Sequence, residues 1–310
     1  MIIVFGTLNI DIYIPAGALP DAGQHIRLDN YESFPGGKGA NQAFAASRTG
    51  VKTAIIGQIG DDGFGRRSTR NLKKESILGA GIGTSEKPTG CSFLLPGVGE
   101  DKTIISCASA NLDTTSNQIP NEILMPKNMV VAQLLVPFEE TLDLFTRAQE
   151  RGCKTVLNTS PPQYIKAELL EKTDIVFVNK SELTILLETL RLDTEGDEFE
   201  RTQRLCDAYS IDCITTCGSK GAVAVYHGQK YSIPAFQIDK VVDATGAGDC
   251  FLGYLVGLLN QGYDFATAFQ YSAIAGSLAC EQLGAQSSVP FLEDIIEKAK
   301  EFQATDVINS

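Results

Sequence analysis

At 310 residues the chain is long enough for one large α/β domain or two ordinary ones, and 43% apolar with 21% charged residues is the balance of a soluble globular protein. A formal net charge of −12 opposes attachment to nucleic acid or an anionic membrane, although local peptide dipoles and a bound cation still let a site receive a phosphorylated ligand. No apolar stretch approaches the roughly 20 residues of a membrane span, and eight cysteines without a Cys-x-x-Cys pair read as reduced thiols of a cytoplasmic protein.

The first six residues lack a basic region and a long apolar core, so they read as a first strand over 2–5 and not as a signal peptide. Asn9-Ile-Asp11 follows that strand and presents a donor and an acceptor suited to a polyol; a helix cap or Asx-turn explains it equally well. Residues 12–35 alternate apolar and polar positions and predict antiparallel strands, as do residues 89–110. Short apolar runs recur at 54–56, 129–132, 155–157, 175–178, 211–215 and 222–226, and Gly57, Asn158 and Asn179 follow three of them as turn-forming residues. Helix-like stretches at 41–48, 138–151, 181–190 and 198–209 lie among them, and the last third is helical over 248–261, 265–283 and 291–302. This order predicts a largely parallel sheet covered on both faces, with the two alternating regions forming a small sheet that projects from it. Neither a linker nor an internal repeat divides the chain, so 1–310 reads as one domain.

Two glycine-rich segments carry the chemistry. Asp243-Ala-Thr245-Gly246-Ala247-Gly248-Asp249 opens a helix, where small residues let backbone N–H groups approach an anion and the helix dipole assists. An aspartate in that first turn serves as a helix-start residue, a metal ligand or a general base; phosphoryl transfer pairs such a base with donors for the phosphoryl oxygens. Gly36-Gly37-Lys38-Gly-Ala-Asn41-Gln-Ala43 is not a Walker loop, because no Ser or Thr follows the lysine. It reads either as a ligand-contacting turn with Lys38 and Asn41 as donors or as a plain glycine turn with a solvated lysine. Asn179-Lys-Ser-Glu182 either holds Mg²⁺ through water or caps the next helix. The loop Thr216-Cys-Gly218-Ser-Lys-Gly221 fits a nucleotide or a hairpin. The two histidines, His25 and His227, lie in polar loops outside any triad or zinc-ligand spacing. A dehydrogenase is excluded because Thr7-Leu-Asn-Ile-Asp11 stands where Gly-x-Gly-x-x-Gly belongs.

Together these segments resemble the ribokinase branch of the PfkB carbohydrate kinase family over essentially the whole chain. Gly60-Asp-Asp-Gly-Phe-Gly65 and Gly284-Ala-Gln-Ser-Ser-Val-Pro290 add to the match. The resemblance implies a three-layer Rossmann-like core of ribokinase type with a β lid formed by about 12–35 and 89–110, through which a homodimer forms. It implies transfer of the ATP γ-phosphoryl to a primary hydroxyl of a ribose-like sugar, with Asp249 as base and the N–H groups of Thr245, Gly246, Ala247 and Gly248 as anion hole. By the same resemblance Asn9, Asp11, Gly37, Lys38 and Asn41 contact the sugar. Asn179 and Glu182 serve Mg²⁺ and phosphate, and Thr216, Gly218 and Gly221 hold ATP. Asp243, Thr245, Ala279, Gly284 and Ser288 match a monovalent cation site, usually for K⁺. One position departs: ribokinases end the strand equivalent to 130–134 in Gln-Leu-Glu, whose glutamate helps bind the sugar, whereas Gln133-Leu134 is followed here by Leu135. Losing that acceptor relaxes or shifts substrate preference, so a deoxy-sugar, another sugar or a nucleoside stands beside D-ribose. The rival from another class is a sugar- or nucleotide-binding regulator without catalysis; retention of Asp249 and its glycine nest argues against it.

Overall fold

A computed structural model describes residues 1–15, 21–96, 102–162 and 165–302. The first strands are β1 (Ile2–Phe5), β2 (Asn9–Tyr13), β3 (Glu32–Gly36), β4 (Thr53–Gly60), β5 (Leu78–Ser85), β6 (Gly90–Pro96) and β7 (Lys102–Cys107). Then come β8 (Met129–Gln133), β9 (Lys154–Asn158), β10 (Ile175–Asn179), β11 (Asp212–Thr216), β12 (Ala222–Tyr226) and β13 (Gln229–Ile233). The longer helices are α1 (Lys38–Arg48), α2 (Phe138–Glu150), α3 (Lys180–Thr189), α4 (Glu198–Tyr209), α5 (Ala247–Asn260), α6 (Phe265–Leu278) and α7 (Leu292–Glu301).

Nine strands form one sheet in the order β13-β12-β11-β10-β9-β8-β1-β4-β5. The pairs from β11 through to β5 are parallel, and β12 is antiparallel to both its neighbours. The fully apolar β1 lies inside the sheet, between β8 and β4. Successive side chains of a strand point to opposite faces, so Ile2 and Val4 join a core with α1, α5 and α6, while Ile3 and Phe5 join a second core with α2, α3 and α4. The result is the expected three-layer core. Two strands escaped the pattern of apolar runs: β5 is rich in glycine and largely exposed, and β13 alternates about a tight turn.

The smaller sheet has the order β3-β2-β6-β7. Two expectations change here. The segment 9–11 does not cap a helix: it begins β2, so this sheet starts at Asn9, three residues before the alternating region. The central pair β2·β6 is parallel, not antiparallel, because both strands leave the main sheet in the same direction. Parts of the two alternating regions, 16–20 and 97–101, lie outside the described residues. The helix expected over 265–283 ends at Leu278, where Ala279–Glu281 tightens into a 3-10 turn.

Helices α1 and α5 approach closely because glycines line the contact. A Cβ on Gly253 would lie 2.5 Å from Ala45 Cβ, and one on Gly257 would lie 2.5 Å from Thr49 Oγ1. This close approach brings the Asn41 and Gln42 side chains of α1 onto the first turn of α5. Among the described residues no helix is long and apolar enough to cross a membrane, and all eight cysteines are free.

Candidate active site

The loop before α5 is folded by its own side chains. Val242 and Asp243 both donate their N–H to the Cys280 carbonyl, at 2.8 and 3.1 Å. Asp243 is buried, and its Oδ1 accepts from the Thr245 N–H (3.0 Å) and hydroxyl (2.7 Å). Gly246 then adopts φ 83°, a left-handed conformation that favours glycine, with its Cα against Ala285. The Ala247 N–H reaches the Ala244 carbonyl at 3.3 Å. Of the four N–H groups expected to form an anion hole, those of Thr245 and Ala247 already have acceptors within the loop. Those of Gly246 and Gly248 have none among the described residues, as the start of a helix requires.

Asp249 sits in that first turn and is buried. Its Oδ1 accepts from Gln42 Nε2 at 2.8 Å and its Oδ2 from Asn41 Nδ2 at 3.2 Å. These bonds supply the partners that a buried charge needs. Asn41, expected to face a sugar, thus also steadies the carboxylate, and its Oδ1 is buried and unpaired. Lys38 begins α1 and stays half-buried. Gly37 has φ 91°, and a Cβ there would come within 2.7 Å of both Asn9 N and Thr7 O, so only glycine lets the β3–α1 turn cross the β1–β2 backbone.

Asp11 on β2 faces the same centre, its carboxylate against the Gly36 Cα. Burial, and next the Asp249 charge, push its carboxyl up from the usual 3.8 to about 7, with the Ser92 hydroxyl and Lys38 opposing. A carboxyl raised in the folded state contributes stability that is present below the unfolded value and is lost as pH rises through about 7. Asp11→Asn should therefore raise Tm at pH 8 by several degrees, with the gap closing towards pH 4; melting curves of the ligand-free proteins at the two pH values check this. Asn9 is mostly spent on structure: its Oδ1 accepts from Asn111 Nδ2 at 2.8 Å and its Nδ2 donates to Ser92 Oγ at 3.3 Å.

On the other side of α5, the Gly248 Cα lies near the Phe177 ring of β10. Asn179 ends β10 directly beside Thr216 of β11. Asn179 and Glu182 form a reciprocal cap on α3: Asn179 N donates to Glu182 Oε2 and Glu182 N to Asn179 Oδ1, both at 2.8 Å. The helix-cap reading is thus realised, and the Asn179 amide N–H₂ and Glu182 Oε1 remain. Cys217 N donates to the Gly221 carbonyl at 2.7 Å, closing the 216–221 loop; Gly218 (φ 60°) and Gly221 (φ 96°) make that turn.

No cluster of three metal-ligating side chains exists among the described residues. Mg²⁺ is usually held by one or two carboxylates together with water and substrate phosphates, and Asn179 with Glu182 fits that pattern. For a monovalent cation, the structure brings the 242–246 loop against 279–288. Ser288 donates its N–H to the Gly284 carbonyl at 3.1 Å, yet its buried hydroxyl oxygen has no partner. An orphaned buried oxygen in the segment that packs against the 242–246 loop fits an oxygen-coordinated cation. Two residues of the site went unread in the sequence. Gln42 lay inside a motif whose other members drew attention, and Gln133 was read only as the first residue of a Gln-Leu motif whose third position drew attention.

A three-layer α/β core, with a buried carboxylate beside an N–H nest at its carboxyl edge, defines a phosphotransferase with an alcohol group as acceptor. The model for pfkB family carbohydrate kinases matches residues 1–292, and the chain belongs to that family. A ribokinase from Staphylococcus aureus (strain COL) is 30% identical over 299 residues, 95% of this chain and 98% of that protein. A deoxyribokinase from Salmonella typhi is 28% identical over 302 residues, 96% of this chain and 97% of that protein. The crystal structure of a ribokinase from Cryptococcus neoformans var. grubii serotype A in complex with ADP matches with TM-score 0.84 at 26% identity, covering 96% of this chain and 99% of that one.

Proposed function

We propose that this carbohydrate kinase transfers the γ-phosphoryl of ATP to the primary hydroxyl of a ribose-like sugar, with D-ribose to ribose 5-phosphate as the leading reaction. One observation carries the reading: the buried Asp249 carboxylate stands between the polar group Asp11, Lys38 and Asn41 and the unpaired N–H groups of Gly246 and Gly248. Asp11 and Lys38 hold sugar hydroxyls. Asp249 takes the proton from the acceptor hydroxyl, and the N–H groups of Gly246 and Gly248 receive the phosphoryl oxygens, so that charge developing during transfer meets fixed donors. Thr216, Gly218 and Gly221 hold the nucleotide. Asn179 and Glu182 would hold Mg²⁺, and Asp243, Thr245, Ala279, Gly284 and Ser288 a K⁺ ion; both cations supply positive potential under the phosphates.

A second substrate is favoured by position 135. Leu135 follows Gln133-Leu134 where ribokinases carry a sugar-binding glutamate, and a deoxyribokinase is among the relatives. The kcat/KM ratio of ribose to 2-deoxyribose decides between them, within a panel that also holds other pentoses, hexoses and nucleosides, each with and without K⁺. Leu135→Glu should raise that ratio by about tenfold or more, since a site built to pair a hydroxyl rejects its absence. An unmoved ratio would mean that Leu135 does not face the sugar.

The chain is taken as one kinase unit in which the small sheet is a lid over the sugar. Its strand β7 is an edge with Ile104 and Ile105 exposed, which suits a homodimer through the lid. Eight free thiols suit the cytoplasm.

A further inference from the structure

The Asp249 carboxylate is the end of a line of side-chain amides that begins in the middle of the main sheet. Gln133, at the carboxyl end of β8, donates its Nε2 to Gln42 Oε1 at 2.7 Å. Gln42, in the second turn's approach of α1, donates its Nε2 to Asp249 Oδ1 at 2.8 Å. Gln133 is 0% and Gln42 1% exposed. The direction of both amides follows from chemistry: an ionised carboxylate only accepts, so Gln42 turns its N–H₂ to Asp249 and offers its carbonyl to the Gln133 N–H₂. The Gln133 carbonyl ends against the Gly6 Cα, where no Cβ would fit, and has no hydrogen-bond partner.

Burying two primary amides, one of them incompletely paired, costs free energy that apolar side chains of the same size would not. Their directional bonds fix what an apolar filler could not, namely the plane of the carboxyl group. The two carboxylate oxygens are also made unequal. Oδ1 is tightly bonded to Gln42, whereas among the described residues Oδ2 has only the longer 3.2 Å contact with Asn41.

We propose that Gln42 and Gln133 are positioning residues: Gln42 locks the Asp249 carboxyl plane, Gln133 locks Gln42, and Oδ2 is the oxygen that takes the proton. This rests on the kinase reading given above. In the step itself the sugar O–H bond breaks and its proton passes to Oδ2. The O–H electron pair forms the new O–P bond, and the bond from the γ-phosphorus to the bridging oxygen breaks, with its electrons leaving on ADP.

The test uses Gln42→Leu, Gln42→Glu and Gln133→Leu in the full chain. The kcat, the KM for ATP and the pH profile of kcat are measured with the best sugar found for the wild type. Gln42→Leu should lower kcat roughly 10- to 100-fold with the KM for ATP within about twofold, and Gln133→Leu about 3- to 10-fold. Gln42→Glu keeps the shape but sets a second carboxyl against Oδ1, so the two must share a proton, and the acidic limb of the profile should move up by more than one pH unit. The charged group that interacts with Asp249 is Asp11 on β2, which itself also feels Lys38 on α1 and Asp243 in the loop before α5; all are unchanged in the variants, so the shift reports on position 42. If Gln42→Leu fails to fold, Gln42→Glu carries the test alone. Wild-type kcat in the folded variants together with an unmoved acidic limb would overturn the positioning role while leaving the kinase reading intact. Wild-type protein that forms no ADP with any acceptor would overturn both.

Discussion

Replacing Asp249 by Asn should lower kcat by about three orders of magnitude while the affinity for ATP stays within a few-fold of wild type. The substitution keeps the side chain's size and removes its capacity to take a proton. It also turns an N–H₂ group towards donors: Gln42 Nε2 and Asn41 Nδ2 both point at the carboxylate, and one of them loses its acceptor. In the proposed reading nucleotide affinity depends on residues elsewhere, at the ends of β10 and β11 and in the nest of Gly246 and Gly248. Steady-state kinetics paired with calorimetric titration of ATP separates the two effects. Near-normal turnover in Asp249→Asn would remove the base from the mechanism.

The second large effect belongs to Gly246. Its φ of 83° disfavours any L side chain, and a Cβ there would lie 2.5 Å from Ala285 Cβ. Gly246→Val must therefore displace the first turn of α5, which carries both the N–H nest and Asp249. We expect kcat to fall at least 100-fold, as when oxyanion donors are lost, with weaker ATP binding as well. Gly262, in the turn after α5, is the control. It has φ 89° with nothing within 4 Å of its Cβ position, so Gly262→Ala meets strain alone. That variant should lose about 1 kcal/mol of stability and keep its kcat. Equal activity losses in both variants would show that general destabilisation, not the nest, is being measured.

The parts of the fold that were legible are those where burial is uniform. Strands such as β1 and β8 are covered on both faces, so their apolar runs stand out, and the turn residues after them mark the carboxyl edge. The hidden parts depend on distant partners. Strand β5 drew no reading from its glycine-rich sequence, because its packing on β4, not its own propensity, makes it a strand. The place of 9–11 in a strand was not legible, because nothing local reveals that β6, some 80 residues away by the numbering, will pair with it.

The site divides in the same way. Backbone demands were readable: glycines at 37 and 246 stand where φ is positive, and Asp249 follows the nest directly. Side-chain partnerships between elements were not. Asn41 looked like a free donor but reaches 208 positions along the chain to Asp249, and Gln133 acts only through Gln42. Asn179 and Glu182 supported two readings, and the reciprocal cap appears only when both side chains are seen together. Such a cap typically contributes about 1 kcal/mol to its helix.

The most direct measurement is phosphorus NMR of the wild-type protein turning over ATP with Mg²⁺, K⁺ and D-ribose or 2-deoxyribose, alongside Asp249→Asn. The account predicts ADP and a sugar 5-phosphate appearing one for one, from at least one of these sugars, and almost none from the variant. Ligand binding without ADP formation across the sugar panel, or ADP released at the same rate without any sugar, would contradict it.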